Sequence, residues 1–287
     1  MHPAPFTYHR ASSVDEAISM LGTLDNAKII SGGHSLIPVM KLRLAEPANL
    51  IDVTGIPGLR GVKEDAGALR IGALSTHHDL EQDRLVNTRL PLLAETAASI
   101  GDRQVRNRGT IGGALAHADA ASDYPASMLA TDAVVIVRGA GGSREIPAAE
   151  FFLGFLTTAL EEGEVITEIR VPVLAPMTGS AYEKLANQAS GYAIVGIAAI
   201  LKLGSDGKIA DARVALTGAT PSAVRCSRAE TILIGAAPIE ETFRSAARVA
   251  GEGLDLLDDL HASSAYRQRV VVGLTQRALS RALASVS

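Results

Sequence analysis

The sequence has one cysteine, Cys226, and no tryptophan. A single thiol cannot close an intramolecular disulfide, supply the four thiolates of an iron–sulfur cluster or build a cysteine-rich zinc site. Any iron–sulfur cluster that works with this chain must therefore lie on another chain.

The chain also lacks an excess of positive charge and a long apolar run. Its 27 Lys and Arg residues against 31 Asp and Glu residues give a net charge of -4, which argues against a general attraction to nucleic acid or anionic membrane. The longest apolar runs, 193–201 and 133–137, are far shorter than the roughly 20 residues of a membrane helix. No secretory signal is visible, so we expect a cytoplasmic protein without a transmembrane segment.

Length and composition favour two globular domains. The chain has 287 residues, 47% of them hydrophobic, against a typical domain size of roughly 150 residues. Pro172, Pro176 and Gly179 mark the best linker. We therefore predict domains at 1–175 and 176–287.

Local patterns predict a mixed α and β chain. A helix at 13–24, capped by Ser12 or Ser13, precedes a short strand at 28–30. Further predicted strands are 49–53, 69–74, 133–137 and 165–171, with a hairpin tip at 63–67 and helices at 85–100 and 148–155. The C-terminal part is predicted to have strands at 181–185, 194–203 and 209–216 and helices at 222–235, 239–257 and 266–286, the last with a solvated arginine face.

Two glycine loops carry hydroxyl groups. The first is Ser31-Gly-Gly-His-Ser35 and the second is Thr110-Ile-Gly-Gly113. Glycine lets a backbone approach a phosphate closely and point its amides at the anion. Each loop alone is equally compatible with an ordinary turn, but together they would clasp one dinucleotide from opposite sides. Asp123 would either accept a hydrogen bond from that ligand or cap the helix before Pro125.

No catalytic or metal-binding residue stands out. His77 and His78 are adjacent and do not point to one metal, and Cys226 has no activating neighbours. Three arginines, Arg103, Arg106 and Arg108, suit either a phosphate or ordinary ion pairs. Any chemistry is therefore expected to come from a cofactor.

Four motifs together resemble a known family. They are Ser31-Gly-Gly-His-Ser-Leu-Ile-Pro38, Ile71-Gly-Ala-Leu-Ser-Thr-His77, Gln104-Val-Arg-Asn-Arg-Gly-Thr-Ile-Gly-Gly113 and Tyr182-Glu-Lys-Leu185. In this order they resemble the FAD-binding medium subunit of molybdenum hydroxylases, of the carbon monoxide dehydrogenase and xanthine dehydrogenase type. The resemblance covers essentially the whole chain.

The resemblance implies an α+β FAD-binding fold of the PCMH, or vanillyl-alcohol-oxidase, type. Its two subdomains, about 1–55 and 56–175, would clasp FAD, and an antiparallel sheet with three helices would follow. The chain would be an electron-transfer subunit. A large partner with a molybdopterin-type molybdenum cofactor would oxidise the substrate, and a small partner with [2Fe-2S] clusters would pass electrons to the FAD. The flavin would then reduce an external acceptor. The assembly would be a dimer of heterotrimers, cytoplasmic or held by partners at the inner membrane face.

The same resemblance implies the site residues. The segments 31–36 and 110–113 would hold the pyrophosphate, residues along the flavin and ribityl chain would include Asp123 and Lys184, and Tyr192 would cover the ring. The complete expected set of FAD-binding residues is Ile29, Ile30, Ser31, Gly32, Gly33, His34, Ser35, Leu36, Ile71, Thr76, Gly109, Thr110, Gly112, Gly113, Ala116, His117, Asp123, Val165, Ile166, Lys184 and Tyr192.

Three positions depart from the family pattern. Ala114 replaces a common Asn, Ala120 a common Pro, and 187–191 lacks the usual Arg and Asp. These differences bear on redox tuning and subunit docking rather than on FAD binding. Carbon monoxide, an aldehyde and a nitrogen heterocycle all stay open as substrates. Two alternatives are a self-sufficient flavin oxidase or reductase of the same fold and a scaffold whose glycine loops are purely structural.

Overall fold

The computed structural model describes residues 2–286. In chain order its elements are β1 (Thr7–Arg10), α1 (Val14–Thr23), β2 (Ala27–Ile30), α2 (Leu36–Lys41), β3 (Asn49–Asp52), β4 (Val62–Asp65), β5 (Ala68–Gly72), α3 (His77–Gln82), α4 (Arg84–Arg89), α5 (Pro91–Ala98), α6 (Arg103–Arg106), α7 (Ile111–His117), α8 (Tyr124–Ala130), β6 (Val134–Gly139), β7 (Gly142–Pro147), α9 (Ala148–Phe151), β8 (Phe152–Gly154), β9 (Thr157–Thr158), β10 (Val165–Pro172), β11 (Thr178–Ala186), β12 (Ala193–Leu203), β13 (Ile209–Thr217), β14 (Val224–Arg225), α10 (Ser227–Leu233), α11 (Glu240–Val249) and α12 (Ser264–Ala284).

The first subdomain is a small parallel sheet with the order β1-β3-β2. Ser13 caps α1, because its side chain accepts a hydrogen bond from the Glu16 amide at 3.1 Å. Ala17 of this helix packs in one core with Ile51 of β3 and Val53, which directly follows β3, and all three are buried. The first glycine loop follows β2, so the sheet holds that loop at one end.

The second subdomain is an antiparallel sheet with the order β4-β5-β10-β6-β7. Its core joins the sheet to α5, α7 and α8 through buried side chains such as Leu93, Leu115 and Tyr124. The predicted hairpin tip at 63–67 is too long, because β4 continues to Asp65 and only Ala66 and Gly67 form the turn, with φ of 49° and 77°. These angles suit the tight turns that join twisted strands.

Two helices predicted in the C-terminal part are shorter in the structure. The helix predicted at 239–257 ends at Val249, and the helix predicted at 222–235 begins at Ser227, after β14.

Two helices predicted in the N-terminal part also differ from the structure. The helix predicted at 85–100 is two helices, α4 and α5, that meet at Leu90. Pro91 follows Leu90 and disfavours helical backbone there, so Leu90 has φ -151° and ψ 60°. The helix predicted at 148–155 ends at Phe151, where the chain enters the β8–β9 hairpin.

The C-terminal domain is an antiparallel sheet with the order β11-β12-β13-β14 and three helices, α10 to α12. One face packs on these helices, while Ala198, Ile200 and Ala215 on the other face join the core of the second subdomain. The predicted α+β architecture with this C-terminal arrangement is confirmed. Residues 173–177 connect β10 to β11.

The prediction of a solvated arginine face on α12 is wrong for Arg267. Its side chain is 2% exposed and donates to the carbonyls of Ile194 and Gly218, both at 2.6 Å. It also pairs with Asp259 at 2.6 Å. The buried guanidinium of Arg267 thus links β12 to β13, because Ile194 lies near the start of β12 and Gly218 directly follows β13.

Candidate functional site

A cleft of about 730 Å³ is lined by both subdomains and by the C-terminal domain. It lies where the two glycine loops meet residues 190–192 from the turn between β11 and β12. Most of the predicted site residues line it. They are Ile29, Ile30, Ser31, Gly32, Gly33, His34, Ser35, Leu36, Gly109, Thr110, Gly112, Gly113, Ala116, His117, Asp123, Val165, Ile166 and Tyr192.

The two glycine loops touch each other. Ser31 Oγ lies 3.0 Å from Thr110 Oγ1. A Cβ added to Gly32 would lie 2.2 Å from the carbonyl oxygen of Arg108, and one added to Gly113 would lie 2.9 Å from Ser31 Oγ. The two loops therefore lie side by side and form one continuous wall of the cleft. That they clasp one dinucleotide from opposite sides stays a prediction.

Local hydrogen bonds fix the shape of each loop. Gly33 has φ +73°, a conformation that favours glycine. The His34 ring contacts its own loop, with Nδ1 3.0 Å from the Gly32 carbonyl oxygen. In the second loop, Thr110 caps α7 by accepting from the Gly113 amide at 3.1 Å. Both loops are thus held in shape by their own polar groups.

Asp123 connects the cleft to the C-terminal domain. Its carboxylate accepts hydrogen bonds from the Tyr182 hydroxyl at 2.6 Å and from Lys184 Nζ at 2.9 Å. Lys184 also donates to the Ser99 carbonyl at 3.0 Å. Burial raises the pKa of Asp123, and the Lys184 ammonium and the Tyr182 hydroxyl oppose that rise. Asp123 occupies the N-cap position of α8, as the helix-cap alternative predicts, but its side chain makes no capping hydrogen bond there.

Three predicted residues do not line the cleft. Ile71 is fully buried in β5, since its side chain points into the core. Thr76 caps α3 in a reciprocal pair with Asp79 and supports the wall from behind. Lys184 lies behind Asp123, which separates it from the cleft. Each of the three stabilises a residue that does line the cleft or the element that carries it.

Several lining residues were missed. Ala73, Leu74 and His77 follow Ile71 in the second motif, and Ala114 lies at one of the positions that depart from the family pattern. The second motif could have indicated these residues. Which of its side chains face the cleft, however, depends on β5 ending at Gly72, and this is seen only in the structure. Apolar side chains of the first subdomain, including Leu21, Val39 and Val53, complete the wall.

His77 is buried at this wall. It is 4% exposed, and its Nδ1 lies 3.1 Å from the Tyr124 hydroxyl. Burial, with a smaller contribution from the nearby charges of His34 and Arg106, lowers its pKa to about 4. The imidazole is therefore neutral at neutral pH.

Arg106 follows the ion-pair interpretation. It pairs with Glu81 at 3.0 Å and also donates to the carbonyls of Ile100 and Gly101. Within residues 2–286, Arg103 and Arg108 form no ion pair. Arg106 thus braces the segment 100–101, which also lines the cleft.

Tyr192 stands at the edge of the cleft and is 38% exposed. Burial and the Asp119 carboxylate raise its pKa, while the Ser35 side chain opposes the rise. Its loop is held by Asn187, whose Oδ1 accepts from the amides of Ala189 and Ser190. An aromatic ring is thus presented opposite the first glycine loop.

The cysteine is inert in this fold. Cys226 is buried, and burial raises its pKa to about 12. Across residues 2–286, no three His, Cys, Asp or Glu side chains converge in a way that could hold a metal ion. Over the same residues, no helix is long and apolar enough to cross a membrane.

The residues of the cleft fit FAD. Gly32 and Gly113 leave no room for a side chain where the loops touch, so backbone and hydroxyl groups alone form this wall, as a diphosphate requires. His34 and Lys28 add basic groups, and an apolar stretch with Leu21, Val39 and Val53 suits an aromatic base. Tyr192 and Asp123 add an aromatic and a polar group to the lining of the cleft.

Comparison with known proteins identifies the family of this chain. Residues 4–174 match the family model "FAD binding domain in molybdopterin dehydrogenase", and residues 180–282 match "CO dehydrogenase flavoprotein C-terminal domain". The carbon monoxide dehydrogenase medium chain of Hydrogenophaga pseudoflava is 43% identical over 285 residues, which cover 99% of each chain. Subunit alpha of the 6-hydroxypseudooxynicotine dehydrogenase complex of Paenarthrobacter nicotinovorans is 39% identical over 284 residues, with 99% of this chain and 96% of that subunit covered.

A solved structure supports the same assignment. The carbon monoxide dehydrogenase of Hydrogenophaga pseudoflava that lacks the Mo-pyranopterin moiety of the molybdenum cofactor superposes with a TM-score of 0.96 at 44% identity, with 100% of both chains covered. The resemblance predicted from the four motifs is confirmed. The chain therefore belongs to the family of flavoproteins that join the FAD-binding domain of molybdopterin dehydrogenases to the CO dehydrogenase flavoprotein C-terminal domain.

Proposed function

We propose that this chain is the FAD-binding, electron-transferring medium subunit of a heteromeric molybdenum hydroxylase. It receives electrons from a [2Fe-2S] partner subunit and passes them to an external acceptor. A large partner subunit with a molybdopterin-type cofactor oxidises the substrate. The observation that carries the proposal is the cleft wall in which Ser31 and Thr110 meet at 3.0 Å.

The glycine loops hold the diphosphate of FAD. The Ser35 hydroxyl is a donor for phosphate oxygens, and so is one of the Ser31 and Thr110 hydroxyls, since the other donates within the pair. No side chain separates the ligand from the backbone at Gly32 and Gly113. Lys28, which also lines the cleft, helps to balance the negative charge of the ligand.

Tyr192 and Asp123 act at the flavin end. Tyr192 covers the ring and restricts the access of water, because its side chain stands at the cleft edge. Asp123 holds the cleft against the C-terminal domain through Tyr182 and Lys184. Bound FAD would supply the redox chemistry, since a flavin exchanges electrons singly or in pairs. The chain itself supplies position, shielding and charge.

The partner subunit chooses the substrate. The two relatives described above align with this chain over 99% and 96% of their own length, yet their names refer to different substrates. A subunit that binds only FAD does not need to recognise the substrate, which accounts for this similarity. By the same resemblance we place the complex in the cytoplasm, as a dimer of heterotrimers.

Metal analysis of the native complex tests the proposal. The chain is affinity-tagged in its host, and molybdenum, iron and FAD are measured in the eluted complex. We expect molybdenum and iron in a fixed ratio to FAD. FAD without metals would contradict the heteromeric function and support a self-sufficient flavoenzyme, and the absence of all three would contradict both.

A further inference from the structure

The imidazole of His77 lies directly against the second glycine loop. A Cβ added to Gly109 would lie 2.5 Å from His77 Nε2, and the His77 amide donates to the Gly109 carbonyl at 3.0 Å. The side chain lines the cleft although the residue is only 4% exposed. The Nε2 edge of the ring therefore forms part of the cleft wall where the loop begins.

A hydrogen bond fixes which ring nitrogen carries the proton. Tyr124 is fully buried, and within residues 2–286 its hydroxyl has only His77 Nδ1 as a partner, at 3.1 Å. Because a buried hydroxyl proton needs an acceptor, the hydroxyl donates to Nδ1 and the neutral ring keeps its proton on Nε2.

The Nε2–H group is not satisfied by the protein. In the part of the chain that the structure describes, Nε2 has no hydrogen-bond partner. It is also not among the side-chain atoms that are both unpaired and sealed from solvent. This donor is therefore open to the cleft and available to a ligand.

The surroundings of this donor favour an anion. The charges of His34, in the first glycine loop, and of Arg106, in α6, both lower the pKa of His77 and so disfavour protonation of its ring. A neutral donor beside two basic groups can bind a negatively charged oxygen without taking up a proton.

We propose that His77 is a further FAD-binding residue, whose Nε2–H donates a hydrogen bond to a diphosphate oxygen where the two glycine loops meet. This inference rests on the proposed FAD-binding function. It makes Tyr124 a positioning residue, because the Tyr124 hydroxyl sets the tautomer that exposes the donor.

The test compares binding of FAD and of ADP to the deflavinated complex. His77→Phe combined with Tyr124→Phe removes the donor and leaves no buried hydroxyl unpaired, so the variant should fold. We expect its dissociation constants for both FAD and ADP to rise roughly 3- to 10-fold, as for the loss of one hydrogen bond. Equal urea midpoints with and without the two substitutions will show that the fold is intact.

His78→Gln serves as the control, because it changes an adjacent histidine that does not line the cleft and lies 3.6 Å from Glu81. We expect it to change ADP binding by less than about twofold. Tyr124→Phe alone keeps the His77 ring but removes the hydroxyl that sets its tautomer, so we expect a rise in the dissociation constant for ADP that is smaller than that of the double variant. Unchanged ADP binding in the double variant would overturn the diphosphate contact. A wild-type complex that binds no FAD would instead overturn the proposed function, before any variant is compared.

Discussion

The hydroxyl oxygens of Ser31 and Thr110 lie 3.0 Å apart, although 79 positions separate them in the sequence. This contact brings the two glycine loops together and depends on Gly32, which lies against the Arg108 carbonyl. Two segments that the sequence presents as separate turns thus form a single wall of the cleft.

Gly32→Ala should disrupt that wall. The new Cβ would lie 2.2 Å from the Arg108 carbonyl oxygen, and neither backbone can move easily. We expect a loss of about 1–3 kcal/mol in the free energy of unfolding and a fall in FAD affinity of about tenfold or more. Urea unfolding and flavin fluorescence measure the two effects.

Gly22→Ala is the matched control for this variant. Gly22 lies in α1, and nothing occupies the space of its Cβ within 4 Å. The control should keep its FAD and gain about 0.5–1 kcal/mol in stability, since alanine favours a helix. Equal FAD binding by the Gly32 variant and the control would show that the loop contact is irrelevant to the ligand.

The Asp123–Lys184 pair should be strongly coupled. Both side chains are almost fully buried, at 5% and 7% exposure, and their charged atoms lie 2.9 Å apart. Asp123→Ala or Lys184→Met alone leaves one buried charge unpaired and should cost about 3–5 kcal/mol. The double variant should lose much less than the sum, which a double-mutant cycle of urea unfolding measures. Strict additivity would mean that the two groups do not interact across the domains.

His77 should make stability depend on pH in a defined window. Its pKa is about 4 in the folded chain and 6.5 without the fold, so between these values the unfolded state binds more protons. The free energy of unfolding therefore falls as the pH falls from 6.5 to 4, by about 3 kcal/mol in total. Above pH 6.5 this contribution is fully present.

The pH effect is measured as a difference from His77→Gln, in which the contributions of other titrating groups cancel. Urea unfolding at a series of pH values should show a steeper dependence in the wild type across this window. Parallel curves for the two proteins would mean that His77 titrates normally in the fold.

Arg267→Met should destabilise the C-terminal domain. The substitution removes the donors to Ile194 and Gly218 and leaves two buried carbonyls and Asp259 without their partner. We expect a loss of about 3 kcal/mol or more. Arg269→Met, at an exposed position of the same helix, should lie within about 0.5 kcal/mol of the wild type. A similar loss in both variants would argue for an effect of helix charge instead.

The sequence allowed the elements and most of the cleft residues to be predicted, because strand patterns and glycine loops are local signals. Helix α5 shows where such patterns fail, since the proline at position 91 ends one helix and begins another within a continuous apolar period. Pro91 affects only the backbone of the residue before it, Leu90. In the sequence this local signal is weaker than the helical spacing of the apolar residues around it.

Tertiary contacts decided the remaining points. The sequence around Arg267 does not show that its guanidinium donates to the carbonyl of Ile194. The sequence around Lys184 does not show that its ammonium group pairs with the Asp123 carboxylate. His77 was visible in a motif, but its orientation depends on Tyr124, 47 positions away. Long-range partners of this kind assign a role to a side chain only once the fold brings them together.

The most direct test of the account is the amount of FAD bound per chain in the native complex. The complex is purified from its host, denatured, and the released flavin is identified by chromatography and quantified against this chain. We predict one FAD per chain, and a complex carrying Gly32→Ala that retains little of it while one carrying Gly22→Ala retains it all. A wild-type complex without FAD would contradict the assignment of the cleft.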